Sequence, residues 1–246
     1  MAMQVRRDSE IYAADGGWFH ARWHFSFDRY RDPQQMGVGP LRVFNDDRLE
    51  PGAVWPLHPH RDIESCTYVA EGQFVHDDSL GNDGRLDAGA AQVMRFSHAG
   101  AMHSELNGSS TEPMRFMQFW FLPSEEGLES SVQQRQYTIE DRTDTLLQIM
   151  GPAGEGGLDL AQDARVFVSR LGAGAEVGHA FADDRGGYFY VMAGTLTAGG
   201  EKLLAGDAAK IVGSEDVAIA AVDEAEVILI DVPLHFEPVG VWAGQR

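Results

Sequence analysis

Two stretches of this 246-residue chain carry the same pattern, and that repeat limits the fold more than any other feature. Thr67-Tyr68-Val69-Ala70-Glu71-Gly72-Gln73-Phe74 returns as Phe189-Tyr190-Val191-Met192-Ala193-Gly194-Thr195-Leu196. Leu86-Asp87-Ala88-Gly89-Ala90-Ala91-Gln92-Val93 returns as Leu203-Leu204-Ala205-Gly206-Asp207-Ala208-Ala209-Lys210. The offset falls from 122 to 117 between them, so the intervening hairpin is five residues shorter in the second copy. Each copy reads strand, glycine turn, strand, tight turn, strand, glycine turn, strand. Such a unit buries its apolar face by closing on itself, so two copies of one small barrel are expected.

Strand-like runs at Leu41–Phe44, Cys66–Val69, Phe74–His76, Gln92–Phe96 and Met114–Leu122 support this reading. Turn signals separate them, and long helical stretches are scarce. The expected fold is all-β: two similar antiparallel barrels of jelly-roll type packed against each other. The segment from Gln133 to Leu160 turns polar and then glycine-rich, so the junction is placed near residue 140, giving barrels over 1–140 and 141–246.

Chemistry concentrates in the first copy. His58-Pro59-His60 and His103-Ser104-Glu105 each place two metal-type ligands at i and i+2, which share one face of a strand. Facing one another inside a barrel, they bring three imidazoles and one carboxylate to a point. The repeat supplies a comparison. At constant offsets, His58, His60, His103 and Glu105 fall opposite Ala180, Ala182, Ala220 and Val222, with His179 one residue out of register. Only the first barrel is therefore expected to bind metal. A nitrogen and oxygen set without thiolate suits Fe(II) best, and also admits copper, nickel, manganese or cobalt.

Phe44 with Asp46, and Gln118 with Trp120, lie at alternating positions on strand-like runs and are candidates for a pocket wall or for barrel core. His24 is a candidate for the pocket lining, though its aromatic run reads first as packing, and His76 and His98 read as turn or surface residues. Cys66 is expected to be a small buried residue without a partner base. It is the only cysteine, so no intrachain disulfide forms, which fits a reducing compartment. With 38 acidic against 19 basic residues, the net charge of −19 disfavours direct contact with nucleic acid or an acidic membrane surface. No apolar run is long enough to span a bilayer and the N-terminus lacks a signal-peptide core, so a cytoplasmic protein is expected. A chain that pairs two barrels internally is expected to be a monomer.

The strings Gly52-x5-His58-x-His60-x3-Glu64-x7-Gly72 and Gly100-x2-His103-x-Glu105-x-Asn107 resemble the two cupin motifs, with His98 where the second motif usually has proline. Trp23–Phe27, Leu41–Asp47, His58–Glu64, His103–Asn107, Gln118–Trp120 and Gly206–Ala209 together resemble the pirin family over essentially the whole chain. That resemblance implies a two-cupin protein with metal in the N-terminal barrel only, held by His58, His60, His103 and Glu105. It leaves Glu64, a ligand position in many cupins, as a nearby polar or structural group. It implies iron, and in some members quercetin 2,3-dioxygenase activity on a flavonol and dioxygen. In such a reaction Glu105 is the expected acid–base group, taking the flavonol hydroxyl proton. Animal pirins are instead nuclear, iron-dependent co-regulators. A metal- or redox-dependent regulator that binds a protein partner, and a small-molecule isomerase, therefore remain alternatives.

Overall fold

The computed structural model describes residues 2–213 and 216–244. Its regular structure is strand apart from three short 3₁₀ turns, Asp8–Glu10, Glu140–Arg142 and Gly240–Trp242. In the first barrel a seven-stranded sheet runs in the order Ser131–Gln136, Ala90–Phe96, Ile63–Glu71, Met114–Phe121, Leu41–Leu49, Phe19–Trp23, Tyr12–Asp15. A four-stranded sheet, Val54–His60, Ala101–Asn107, Gln73–Asp78, Asp83–Asp87, closes over its inner face. Trp23, Leu49, Val69 and Phe116 from the large sheet pack there against Phe74 and Leu86 from the small one.

The second barrel repeats the plan. Its large sheet is ordered Ala2–Arg6, Ala208–Val212, Arg185–Ala193, Ala225–Pro233, Arg165–Leu171, Leu147–Pro152, Leu158–Leu160. Its small sheet is ordered Glu176–Ala180, Asp216–Ala221, Thr195–Ala198, Glu201–Leu204. Every pairing between named strands is antiparallel except that of Leu147–Pro152 with Leu158–Leu160. The two large sheets lie back to back. Phe44, Tyr68, Met117 and Phe119 of one meet Val166, Tyr188, Tyr190 and Ile228 of the other in a single buried cluster. The central strands of the large sheets are thus covered on both faces, and their burial loses the simple alternation of a half-exposed strand.

Backbone register bears out the repeat. Tyr68 pairs with Ala91 as Tyr190 pairs with Ala208, and Thr67 with Gln92 as Phe189 with Ala209. The turns that follow keep glycine for one reason. Gly72 and Gly194 adopt φ +78° and +79°, and a Cβ there would lie 2.7 Å from the Pro113 carbonyl oxygen and 2.1 Å from that of Glu224. Further along, the constant offset fails. Phe74 pairs with Asn107, while its equivalent Leu196 pairs with Ala221. Glu105 therefore corresponds to Ile219 and His103 to Val217, three residues earlier than the sequence comparison gave. Val217 pairs with His179 as His103 pairs with His58. His179, not Ala180, is the counterpart of His58, and Phe181 that of His60. A one-residue bulge on Val54–His60, between the partners of His103 and Glu105, absorbs the difference.

Chain ends cross between barrels. Ala2–Arg6, read from the sequence as part of the first barrel, pairs with Ala208–Val212 in the second. The chain passes from one large sheet to the other between Gln136 and Leu147. After Pro233 it returns, and the Trp242 indole donates to the Asp62 carbonyl at 2.7 Å.

His24 belongs to the seam rather than to a pocket. Its Nδ1 lies 2.7 Å from the Tyr188 hydroxyl, and its ring meets Phe44 and Tyr190 edge-on. Burial, against the opposing pull of Asp46, lowers its pKa to about 3. A depressed folded pKa means that the neutral ring contributes full stability above about pH 6.5, lost as pH falls towards the folded value. Between pH 6 and 4.5 the metal-free protein is expected to lose about 2 kcal/mol through His24 alone. Urea unfolding of His24→Phe at the two pH values checks this. Its loss over that interval should be smaller by that amount, and an unchanged loss would show that His24 does not titrate on unfolding.

Candidate metal centre

The strands Val54–His60 and Ala101–Asn107 lie side by side in the small sheet, with His103 directly opposite His58. Ligand nitrogens of His58, His60 and His103 all lie within 4.8 Å of one another. The rings are held by contact: His58 and His103 have centroids 4.5 Å apart, and His60 packs against Trp120 at 4.7 Å and Phe96 at 5.1 Å. The His58 Nδ1 donates to the Pro56 carbonyl at 2.8 Å, which fixes the tautomer and leaves Nε2 free as a ligand. The His60 Nε2 and both nitrogens of His103 are buried without a hydrogen-bond partner among the described residues. Burial comes first in holding all three below the usual histidine range, His60 at about 3 and His103 at about 2. Neutral imidazoles with unshared electron pairs turned towards one point are the state a divalent cation requires.

Glu105 lies beside this trio. Its Oε1 is 3.5 Å from the His103 Nε2 and accepts a hydrogen bond from the Gln118 Nε2 at 2.8 Å, while its Oε2 is buried and unpartnered. Burial, against the Gln118 hydrogen bond, lifts its pKa to about 7. A dication at the histidines would draw it back down. The orphaned nitrogens fit a metal held by His58, His60 and His103, and the Glu105 carboxylate lies beside them.

Above the histidines is a cavity of about 60 Å³. Phe27, Trp55, Phe116 and Trp120 form aromatic walls, and Asn45, Asp47 and Gln118 a polar one. Of the four candidates for a pocket wall or barrel core, Gln118 and Trp120 line this cavity. Phe44 and Asp46 do not. Phe44 turns into the seam, stacked 6.0 Å from Phe119, and Asp46 forms a buried pair with Arg115 at 2.7 Å and accepts from the Tyr190 hydroxyl at 2.5 Å. Their neighbours Asn45 and Asp47, one residue on in each case, face the cavity. The Leu41–Leu49 strand is buried continuously from Val43 to Asp47, so no polar–apolar alternation marks its inner face.

His76 also corrects the sequence reading. It is fully buried, 3.2 Å from the Asp78 carboxylate, with its ring 5.8 Å from that of His103. Its Nδ1 has no partner among the described residues. His98 is a surface residue, its ring paired with Asp62 at 2.9 Å. Glu64 points away from the histidines and joins the barrels, accepting from Arg95 and from the backbone N–H of Ala161 and Gln162 at 2.9 and 2.8 Å. Cys66 is buried, and burial pushes its thiol well up. In the second barrel His179 is taken by Asp231 at 2.7 Å, and the other ligand positions carry Phe181, Val217 and Ile219.

A pirin family model matches residues 4–121, and a model of the quercetinase C-terminal cupin domain matches residues 148–232. Over 231 residues the chain is 36% identical to quercetin 2,3-dioxygenase of Escherichia coli K12, covering 93% of this chain and 98% of that protein. It is 38% identical over 224 residues to a pirin-like protein of Caulobacter vibrioides, covering 90% and 96%. The crystal structure of the bacterial pirin YhhW from Escherichia coli in complex with nickel(II) superposes with a TM-score of 0.87 at 34% identity, over 96% of this chain and all of that one.

Proposed function

The chain belongs to the pirin family of two-barrel cupin proteins, and from that premise we propose that it is a metal-dependent dioxygenase that opens a flavonol ring. The observation that carries the proposal is the trio of neutral, mutually facing imidazoles, His103 buried and His58 and His60 half-buried, beneath an aromatic cavity. Fe(II) is the proposed metal on donor type, and the nickel(II) complex of the Escherichia coli pirin makes nickel the second to test. A divalent ion there would act as Lewis acid and as template for substrate and dioxygen.

The chain's own groups supply the rest. Trp55, Phe116 and Trp120 offer flat apolar faces to an aromatic ring system. The flavonol hydroxyl must lose its proton before the ring is electron-rich enough to react with dioxygen, and the cavity holds carboxylates to take it. Flavonol and dioxygen together account for all atoms of a depside and carbon monoxide, so no external reductant is needed. The 60 Å³ cavity admits dioxygen but falls short of the ~300 Å³ at which ligand pockets begin. Flavonol entry therefore displaces side chains at the mouth, where Trp55 and His58 are only half-buried.

Protein loaded in turn with iron, nickel, manganese, cobalt or copper is incubated with quercetin in air. Oxygen uptake matched by loss of flavonol absorbance and release of carbon monoxide is expected with at least one metal. No bleaching with any of the five rejects the dioxygenase, and conversion of a substrate without oxygen uptake would point to isomerase chemistry.

A further inference from the structure

Resting on the dioxygenase reading, we propose that Asp47 is the catalytic base of this site, taking the substrate hydroxyl proton while Glu105 serves the metal. Asp47 lines the cavity, is only 4% exposed, and its Oδ1 has no hydrogen-bond partner among the described residues. A buried carboxylate oxygen without a partner is costly, and native folds keep such a group where it has work to do. Its neighbours argue the same way. Asp46, next in sequence, is fully satisfied by Arg115 and Tyr190 on the opposite face. Two residues back on the inner face, the Asn45 Oδ1 is likewise buried and unpartnered. The strand thus presents two unmet oxygens to a cavity that also has the aromatic walls Phe27, Trp55, Phe116 and Trp120, which suits a hydroxylated aromatic ligand.

Glu105 is less suited to the task. One of its oxygens is held by Gln118 and lies beside the His103 Nε2. A carboxylate that neutralises a metal cation is a poor proton acceptor. Burial, with the Asp46 carboxylate next to it, raises the Asp47 carboxyl well above the ordinary aspartate range, closer to a hydroxyl. In the step, the substrate O–H bond breaks, its electron pair stays on the substrate oxygen, and the proton forms an O–H bond on Asp47. Asp47 returns that proton to the carboxylate of the depside, so the balance closes within one turnover.

The test compares wild type with Asp47→Asn, which keeps shape and polarity but accepts no proton. Metal content should be unchanged by elemental analysis. The metal-free variant should melt about 3 °C higher, because an unpaired buried carboxylate is gone. Mixed with quercetin without oxygen, the metal-loaded wild type should shift the flavonol absorption to the red as the anion forms. The variant should bind without that shift and turn over at least ~100-fold more slowly. A full red shift in Asp47→Asn, or turnover within about threefold of wild type, would overturn the assignment while leaving the dioxygenase intact. Absence of both binding and turnover in wild type would overturn the dioxygenase reading and this assignment with it.

Discussion

Replacing His103 by valine is expected to strip the first barrel of metal and to lower turnover at least ~1,000-fold, since several kcal/mol of Lewis-acid stabilisation go with the ion. Valine is the residue that the second barrel carries at the same place in the same strand, Val217, opposite His179 as His103 is opposite His58. The substitution thus converts one barrel to the pattern of the other, within a backbone that accommodates both. Loss of the ring should not unfold the metal-free protein, because both His103 nitrogens are buried without partners and no hydrogen bond is forfeited. Elemental analysis should fall from about one ion per chain to less than about a tenth, with an unchanged circular dichroism spectrum. His179→Ala is the matched control and should keep the metal in full. Retention of stoichiometric metal by His103→Val would remove the site from these strands altogether.

The three histidines were legible because ligand chemistry and strand spacing coincide: few reasons other than metal place His-x-His on a strand inside a barrel. Asn45 and Asp47 were not legible. Their strand runs between the cavity and the second barrel, so Phe44 and Asp46 are as buried as Asn45 and Asp47, and the choice of face is open by one residue. His76 was hidden by its company. Followed by Asp77 and Asp78 it reads as a turn or surface residue, yet its Nε2 meets the Asp78 carboxylate and both side chains are buried. The repeat revealed the architecture but not the detailed equivalences, because a constant offset cannot anticipate a bulge or a shortened loop. His179 seemed out of register for that reason alone. Nor does local pattern say which sheet the Ala2–Arg6 strand joins, since either large sheet has an edge to offer.

The largest effect on stability is expected at the seam. Arg115→Met should cost about 3–5 kcal/mol, a drop in melting temperature on the order of 10 °C. Arg115 holds Asp46 through Nε at 2.9 Å and through its terminal nitrogen at 2.7 Å, and the carboxylate also accepts from Tyr190 of the other barrel. Burial alone would raise the pKa of Asp46, but Arg115 and Tyr190 outweigh it and hold the carboxyl below the usual range. Without the guanidinium the buried carboxylate keeps only the Tyr190 hydroxyl as hydrogen-bond partner among the described residues. The cost belongs to the stranded partner and not to the missing bond, so it should be recoverable. Arg115→Met/Asp46→Leu/Tyr190→Phe replaces the whole network by apolar groups of similar size and should regain most of the loss. Asp46 faces away from the histidines, so metal content should be unaffected in both variants. That outcome separates it from Asp47, one peptide bond along, whose amide variant is expected to gain stability and lose activity. A single variant that lost both stability through Arg115 and metal from the histidines would mean that Asp46 faces the cavity after all.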